Sequence, residues 1–203
     1  MFAKDYRKLA WSKLSGNWGT AILAMLIYMV IIGISSIVAV GPFILAGILG
    51  VGLYGVYLGI IRGKETKLEN LFDGFREGVV NNLLGGLLVG IFTFLWSLLF
   101  VIPGIVKGYS YSMTLFILKD NPEMSATDAI TESRRMMNGN KWRLFCLDFS
   151  FIGWILLSTL TCGILYILVY PYMYAARAAF YESLKGAPVE AEASEVADET
   201  AQA

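Results

Sequence analysis

Residues 14–61 read LSGNWGTAILAMLIYMVIIGISSIVAVGPFILAGILGVGLYGVYLGII, 48 positions without one Asp, Glu, Lys or Arg. A helix needs about 20 apolar residues to span a bilayer. The stretch Gly19–Ile61 is too long for one crossing and right for two. Gly41-Pro42 sits at its midpoint, where proline breaks a helix and glycine permits a turn. The segment is therefore a candidate helical hairpin. Two further charge-free runs follow, 78–106 with 29 residues and 149–176 with 28. The apolar block Asn82–Leu118 has Pro103-Gly104 near its middle, and Leu144–Tyr181 has Thr161-Cys162-Gly163. The pattern predicts an all-α polytopic integral membrane protein, with six transmembrane helices as three hairpins. The return arm Ile105–Leu118 is the shortest and begins beside Lys107.

Composition agrees with that class. Of 203 residues, 57% are hydrophobic and 16% charged, with mean hydropathy +0.62. Soluble chains average about 25% charged residues. A soluble enzyme domain, a secreted disulfide scaffold and a disordered chain are excluded. No histidine is present, which removes the commonest neutral-pH acid/base and metal ligand. Cys146 and Cys162 lie in apolar stretches and read as small buried hydrophobes, so neither a disulfide nor a metal site is expected. Lys4, Arg7 and Lys8 imitate the start of a signal peptide, but the apolar run behind them is too long for an h-region, and an uncleaved span is expected. Residues 186–203 carry five acids and no base, and this composition predicts a disordered acidic tail. The rest, 1–185, reads as one membrane domain.

A polar, amphipathic segment precedes each hairpin. In Lys67–Val79, the residues Leu68, Leu71, Phe72, Phe75 and Val79 follow helical spacing, with Glu69, Asp73, Arg76 and Glu77 opposite. Ser125 and Asp128 form an S-x-x-D start signal for the segment carrying Ala126, Ile130 and Met137, and Arg134 and Arg135 follow late, as the helix dipole favours. Phe2–Leu14 presents Phe2, Tyr6, Leu9 and Leu14. These helices are expected along the membrane surface, apolar face down; plain cytoplasmic connectors are the other reading. Each segment meets its hairpin at a similar corner: Gly16-Asn17-Trp18, Gly78-Val79-Val80-Asn81-Asn82 and Gly139-Asn140-Lys141-Trp142. Pseudo-repeats of about 2–61, 67–118 and 122–181 are inferred, as parallel units about an axis along the membrane normal. Of the 16 Lys and Arg, 15 lie in the termini and the two charged loops, and only Lys107 lies near a turn. The positive-inside rule puts both termini and both loops in the cytoplasm.

Candidate sites are few. Lys107, Ser110, Tyr111 and Thr114 form a polar stripe at i, i+3, i+4 and i+7. It either lines a cavity open to the outside or marks a lysine snorkelling to the outer headgroups. Asp148 lies 14 residues before Cys162 and Arg177 lies 15 after it. Antiparallel arms bring them to equal depth, as an intramembrane ion pair or as a site for substrate or ions. The G-x-x-x-G pairs Gly55/Gly59, Gly86/Gly90 and Gly104/Gly108 serve either packing within the bundle or self-association. No catalytic, cofactor-binding or metal motif is present: no H-E-x-x-H, G-x-S-x-G, Walker A or C-x-x-C. An enzyme is not expected, and no nucleic-acid partner is implied. The expected partners are the bilayer and a membrane-protein partner or second copy.

The run Phe100-Val101-Ile102-Pro103-Gly104-Ile105-Val106-Lys107-Gly108-Tyr109-Ser110-Tyr111-Ser112-Met113 resembles a bacterial membrane-protein family, domain of unknown function 975. So do Asp120-Asn121-Pro122, Ser125-Ala126, Ala129-Ile130, Ser133, Met136-Met137 and Gly139-Asn140-Lys141. The earlier Gly16-Asn17-Trp18 and Leu71-Phe72-x-Gly74-Phe75 also fit, so the resemblance extends over roughly 5–185. It implies an integral protein of the bacterial cytoplasmic membrane with no established activity. The expected role is a non-enzymatic accessory or scaffold, in envelope stress or peptide tolerance. The alternative is a small-solute permease with a polar path near Lys107.

Overall fold

A computed structural model describes residues 3–37, 41–99, 101–161, 163 and 165–186. Among these residues every regular element is helical. In order they are α1 (Ala3–Leu14), α2 (Trp18–Ser35), α3 (Gly41–Ile61), a 3-10 helix (Leu68–Phe75), α4 (Val79–Leu99), α5 (Val101–Tyr111), α6 (Thr114–Asp120), α7 (Ala126–Met136), α8 (Lys141–Phe149), α9 (Ile152–Leu160) and α10 (Tyr166–Leu184). The acidic tail, apart from Gly186, lies outside the described residues, as does Cys162.

Among the described residues, three helices are long and apolar enough to cross a membrane: Trp18–Ser35, Val79–Leu98 and Lys141–Leu160, with Leu45–Ile61 as a shorter apolar helix. The expected return arm Ile105–Leu118 is not one helix. Ser112-Met113 form a turn that separates α5 from α6. The prolines also act differently from expectation. Pro42 and Pro103 sit in the first turns of α3 and α5, where a missing N–H costs nothing. They open the return helices rather than making the reversals.

The chain divides into two compact units. The first joins 1–26, 56–66 and 142–203; the second joins 27–55 and 67–141. In the first, α1 lies along α10. Tyr6 hydrogen-bonds Ser183 at 2.9 Å and meets the Phe180 ring edge-on at 5.3 Å. Tyr172 donates to the Arg7 carbonyl at 3.0 Å. The α10 face here is Ala175, Ala176, Ala178 and Ala179, all fully buried, and such short side chains let another helix approach closely. Leu9, Ala10 and Leu14 are consequently buried in protein, so α1 spends its apolar face on the fold rather than on a lipid surface.

In the second unit the core lies at the base of the α4–α5 hairpin. Backbones cross where Gly47 of α3 meets Gly86 of α4: a Cβ on Gly86 would overlap Gly47, and one on Gly47 would overlap the Asn82 carbonyl oxygen. The three corners share one conformation: Gly16, Gly78 and Gly139 have φ of 90°, 60° and 79°, the left-handed region where only glycine is unstrained. Two corners share a second device. Asn17 donates to the Lys13 carbonyl at 3.4 Å and Asn140 to the Met136 carbonyl at 3.0 Å, each bonding a C=O at a helix end.

Away from the base the side chains are bare. Phe94, Leu95 and Leu98 on α4 and Ile102 and Ile105 on α5 are all exposed. The hairpin therefore carries a packed base and an apolar tip.

Candidate functional site

The register of the hairpin fixes the height of Lys107. A Cβ on Gly104 would overlap Ser97, and one on Gly108 would touch Thr93 at 3.7 Å. Lys107 therefore stands level with Phe94. Its ammonium sits 4.6 Å from the Trp96 ring centre, a cation–π contact. Of the rest of the expected stripe, Ser110 lines a cleft together with Lys107, and Tyr111 and Thr114 are not among its lining residues. Ser110 is buried and donates to the Val106 carbonyl at 2.9 Å. The Tyr111 ring lies 6.2 Å from Phe92. Thr114 is fully buried, and its hydroxyl has no partner. The i+7 position fails because the turn at Ser112-Met113 resets the helical phase.

Helix α7 supplies what the stripe lacks. Ser125 caps it, accepting from the Asp128 N–H at 3.2 Å. Ala126, Ala129, Ile130 and Ser133 form its buried side. Ser133 bridges the α5–α6 break: its hydroxyl donates to the Ser110 carbonyl at 2.9 Å and accepts from the Met113 N–H at 3.2 Å. One side chain thus satisfies both backbone groups that the break would leave unpaired. Ala126 packs near Gly85, whereas Ser133 reaches Ser110. So α7 runs along the hairpin toward its tip and carries its basic end to the height of Lys107.

The result is a basic cleft of about 490 Å³ lined by Lys107, Ser110, Thr131, Arg134, Arg135, Asn138 and Lys141. No carboxylate lines it. Glu132 pairs with Arg135 at 2.7 Å, and this hydrogen bond holds the guanidinium still more firmly protonated. Lys107, Arg134 and Lys141 have no carboxylate partner among the described residues. Such a cleft suits an anion and has no acid/base pair. Sequence reasoning read Arg134 and Arg135 as the late basic residues of a surface helix and Lys141 as part of a corner, and none of them as a site residue. Their signal is the late basic turn of α7, and only tertiary packing joins it to Lys107.

Asp148 and Arg177 meet in a two-pronged fork. Nε donates to Oδ1 at 3.0 Å, and an Nη donates to Oδ2 at 2.8 Å. A second pair, Arg62 with Glu182 at 2.6 Å, lies in the same unit and has no sequence signature. Both are ion pairs between residues of the first unit. In the other unit Lys119 donates to Asp73 at 2.9 Å. The first unit also holds an apolar cavity of about 330 Å³ lined by Trp11, Trp18, Trp154, Leu165, Leu168, Val169 and Tyr172. Among the described residues no group of three potential ligands is placed to hold a metal.

A family model described as "Protein of unknown function (DUF975)" matches residues 99–188. The chain resembles that family through α5 to α10, which includes the whole lining of the basic cleft. The earlier Gly16-Asn17-Trp18 and Leu71-Phe72 motifs lie outside the matched stretch. No curated protein and no solved structure matches the chain.

Proposed function

We propose that this protein is a membrane-embedded, non-enzymatic accessory of the bacterial cytoplasmic membrane, and that its α4–α5 hairpin dips into the inner leaflet without crossing. One observation carries the reading. Lys107, the lone exception to the positive-inside pattern, shares a cleft with Arg134, Arg135 and Lys141 of the cytoplasmic loop. With Lys107 on that side, no Lys or Arg remains near an outer turn.

Distances agree. From Lys107 back to Val101 is about 9 Å of helix, and the hydrocarbon of one leaflet is about 15 Å thick. The bare tip, with Phe94, Leu95, Leu98, Ile102 and Ile105, fits in one leaflet with the cations at its headgroups. A hairpin that crossed the bilayer would carry those cations into the hydrocarbon, at roughly 2.5–3.5 kcal/mol each on insertion scales. A permease would need the polar path to continue past Ser110. Tyr111 and Thr114 are buried there, which favours holding a ligand over passing one.

Two measurements test this. Alkaline carbonate should leave the protein in the membrane pellet, and release would end the membrane reading. Nitroxides on single cysteines, in a background lacking Cys146 and Cys162, should find oxygen at Leu98 and a water-soluble nickel chelate at Arg134. Modification of an Ile102 cysteine, at the exposed tip, by an impermeant thiol reagent outside intact cells would show a full crossing instead.

A further inference from the structure

We propose that the basic cleft is a binding site for the phosphate of an anionic lipid headgroup in the cytoplasmic leaflet. This inference rests on the membrane-embedded reading above.

The charge is the first argument. Four cations face about 490 Å³ with no acid among the lining residues. Of the four, Arg135 pairs with Glu132 and Lys107 lies on the Trp96 ring. Arg134 offers the planar fork that matches phosphate oxygens, and Lys107 and Lys141 offer point charges. Asn138 adds a neutral amide donor to the same wall. Ser110 is already committed to Val106, and Thr131 donates to the Thr127 carbonyl. The free donors are therefore mainly cationic, as an anion site requires. The volume falls within the roughly 300–1,000 Å³ typical of small-ligand sites, with room for a headgroup around the phosphate.

The apolar neighbour is the second argument, and it selects the lipid over a free ion. Trp96 holds the Lys107 ammonium on its ring and is itself exposed. It stands where the cleft meets the bare tip residues Leu95, Leu98 and Ile105. An amphiphile can put its phosphate among the cations and lay its acyl chains along that tip. A soluble phosphate uses only the first half of this surface. Basic clusters at a membrane face attract anionic lipid in the same way.

The test uses the full chain, purified in a neutral detergent and read by native mass spectrometry and by thermal stability. Phosphatidylglycerol should remain bound through delipidation and raise the melting temperature, while phosphatidylcholine should do neither. The double variant Arg134→Gln/Lys141→Gln should weaken phosphatidylglycerol binding about fivefold per cation removed. Lys107→Gln should act likewise, whereas Lys64→Gln, away from the cleft, should not. Inorganic phosphate and glycerol 3-phosphate should leave the melting temperature unchanged. Stabilisation by those soluble anions, equal to that by the lipid and lost in the double variant, would overturn the lipid assignment. Indifference of every ligand to the cleft variants, with unchanged circular dichroism, would overturn the site. A protein freed by carbonate that still binds phosphate through Arg134 would refute the membrane reading and leave the cleft an anion site.

Discussion

The Asp148–Arg177 fork joins two side chains that are only 15% and 30% exposed. Breaking a fully buried pair costs roughly 3–5 kcal/mol, because the remaining charge stays unpaired. Some solvent reaches this pair, so Asp148→Asn should cost about 1–3 kcal/mol, read as a lower melting temperature in detergent. The exchanged pair Asp148→Arg with Arg177→Asp should recover part of the loss; no recovery would mean that the geometry, rather than the charge match, matters. This contact was legible because the two residues stand at nearly equal distances from one turn. The Arg62–Glu182 pair was not. Its partners are 120 residues apart, and no spacing rule connects the end of α3 with the end of α10. The cleft was invisible for the same reason: Lys107 was readable, but its companions were placed by packing.

Three residues per turn, rather than 3.6, decide what the segment after α3 buries. The spacing Leu68, Leu71, Phe72, Phe75 is that of one α-helical face, and an α-helix over Lys67–Val79 was the natural expectation. The element is a 3-10 helix over Leu68–Phe75. A 3-10 helix stacks Leu68, Leu71 and Gly74 in one line, and Leu71 and Gly74 are the residues it buries. Phe72 and Phe75 fall on the next line and stay exposed. Gly74 lies against the Ile48 carbonyl, where a Cβ would collide. Gly74→Ala should therefore destabilise by about 1–3 kcal/mol, and Glu69→Ala, on the exposed side, by less than about 0.5 kcal/mol; equal effects would mean the helix packs differently. The α5–α6 break makes a matching case. Ser133→Ala removes the side chain that bridges Ser110 and Met113 and should cost about 1–3 kcal/mol in chemical denaturation, since both backbone groups are buried. The Ser125 start of α7 was readable, because a cap is local. The role of Ser133 was not, because a break at Ser112-Met113 carries no Gly or Pro to announce it.

At the level of the whole chain, apolar runs and charge bias were readable, and the partition into units was not. The first unit is assembled from 1–26, 56–66 and 142–203, a grouping that no linker or composition change marks. The proposed topology puts Lys64 and Glu132 on the cytoplasmic face, so cysteines at those positions should resist an impermeant thiol reagent outside intact cells and react after permeabilisation; labelling from outside would invert the topology. The scattered make-up of the first unit also has a consequence for biosynthesis. The partner of α1 is α10, and Tyr6 waits for Phe180 and Ser183. At about 5–20 residues per second, a ribosome needs roughly 10–30 s to make the chain between them. During that interval Tyr6, Leu9 and Leu14 have no protein surface to cover them. A nascent chain stalled before residue 166 should therefore leave α1 open to protease or held by a chaperone, and release of α10 from the ribosome should close it.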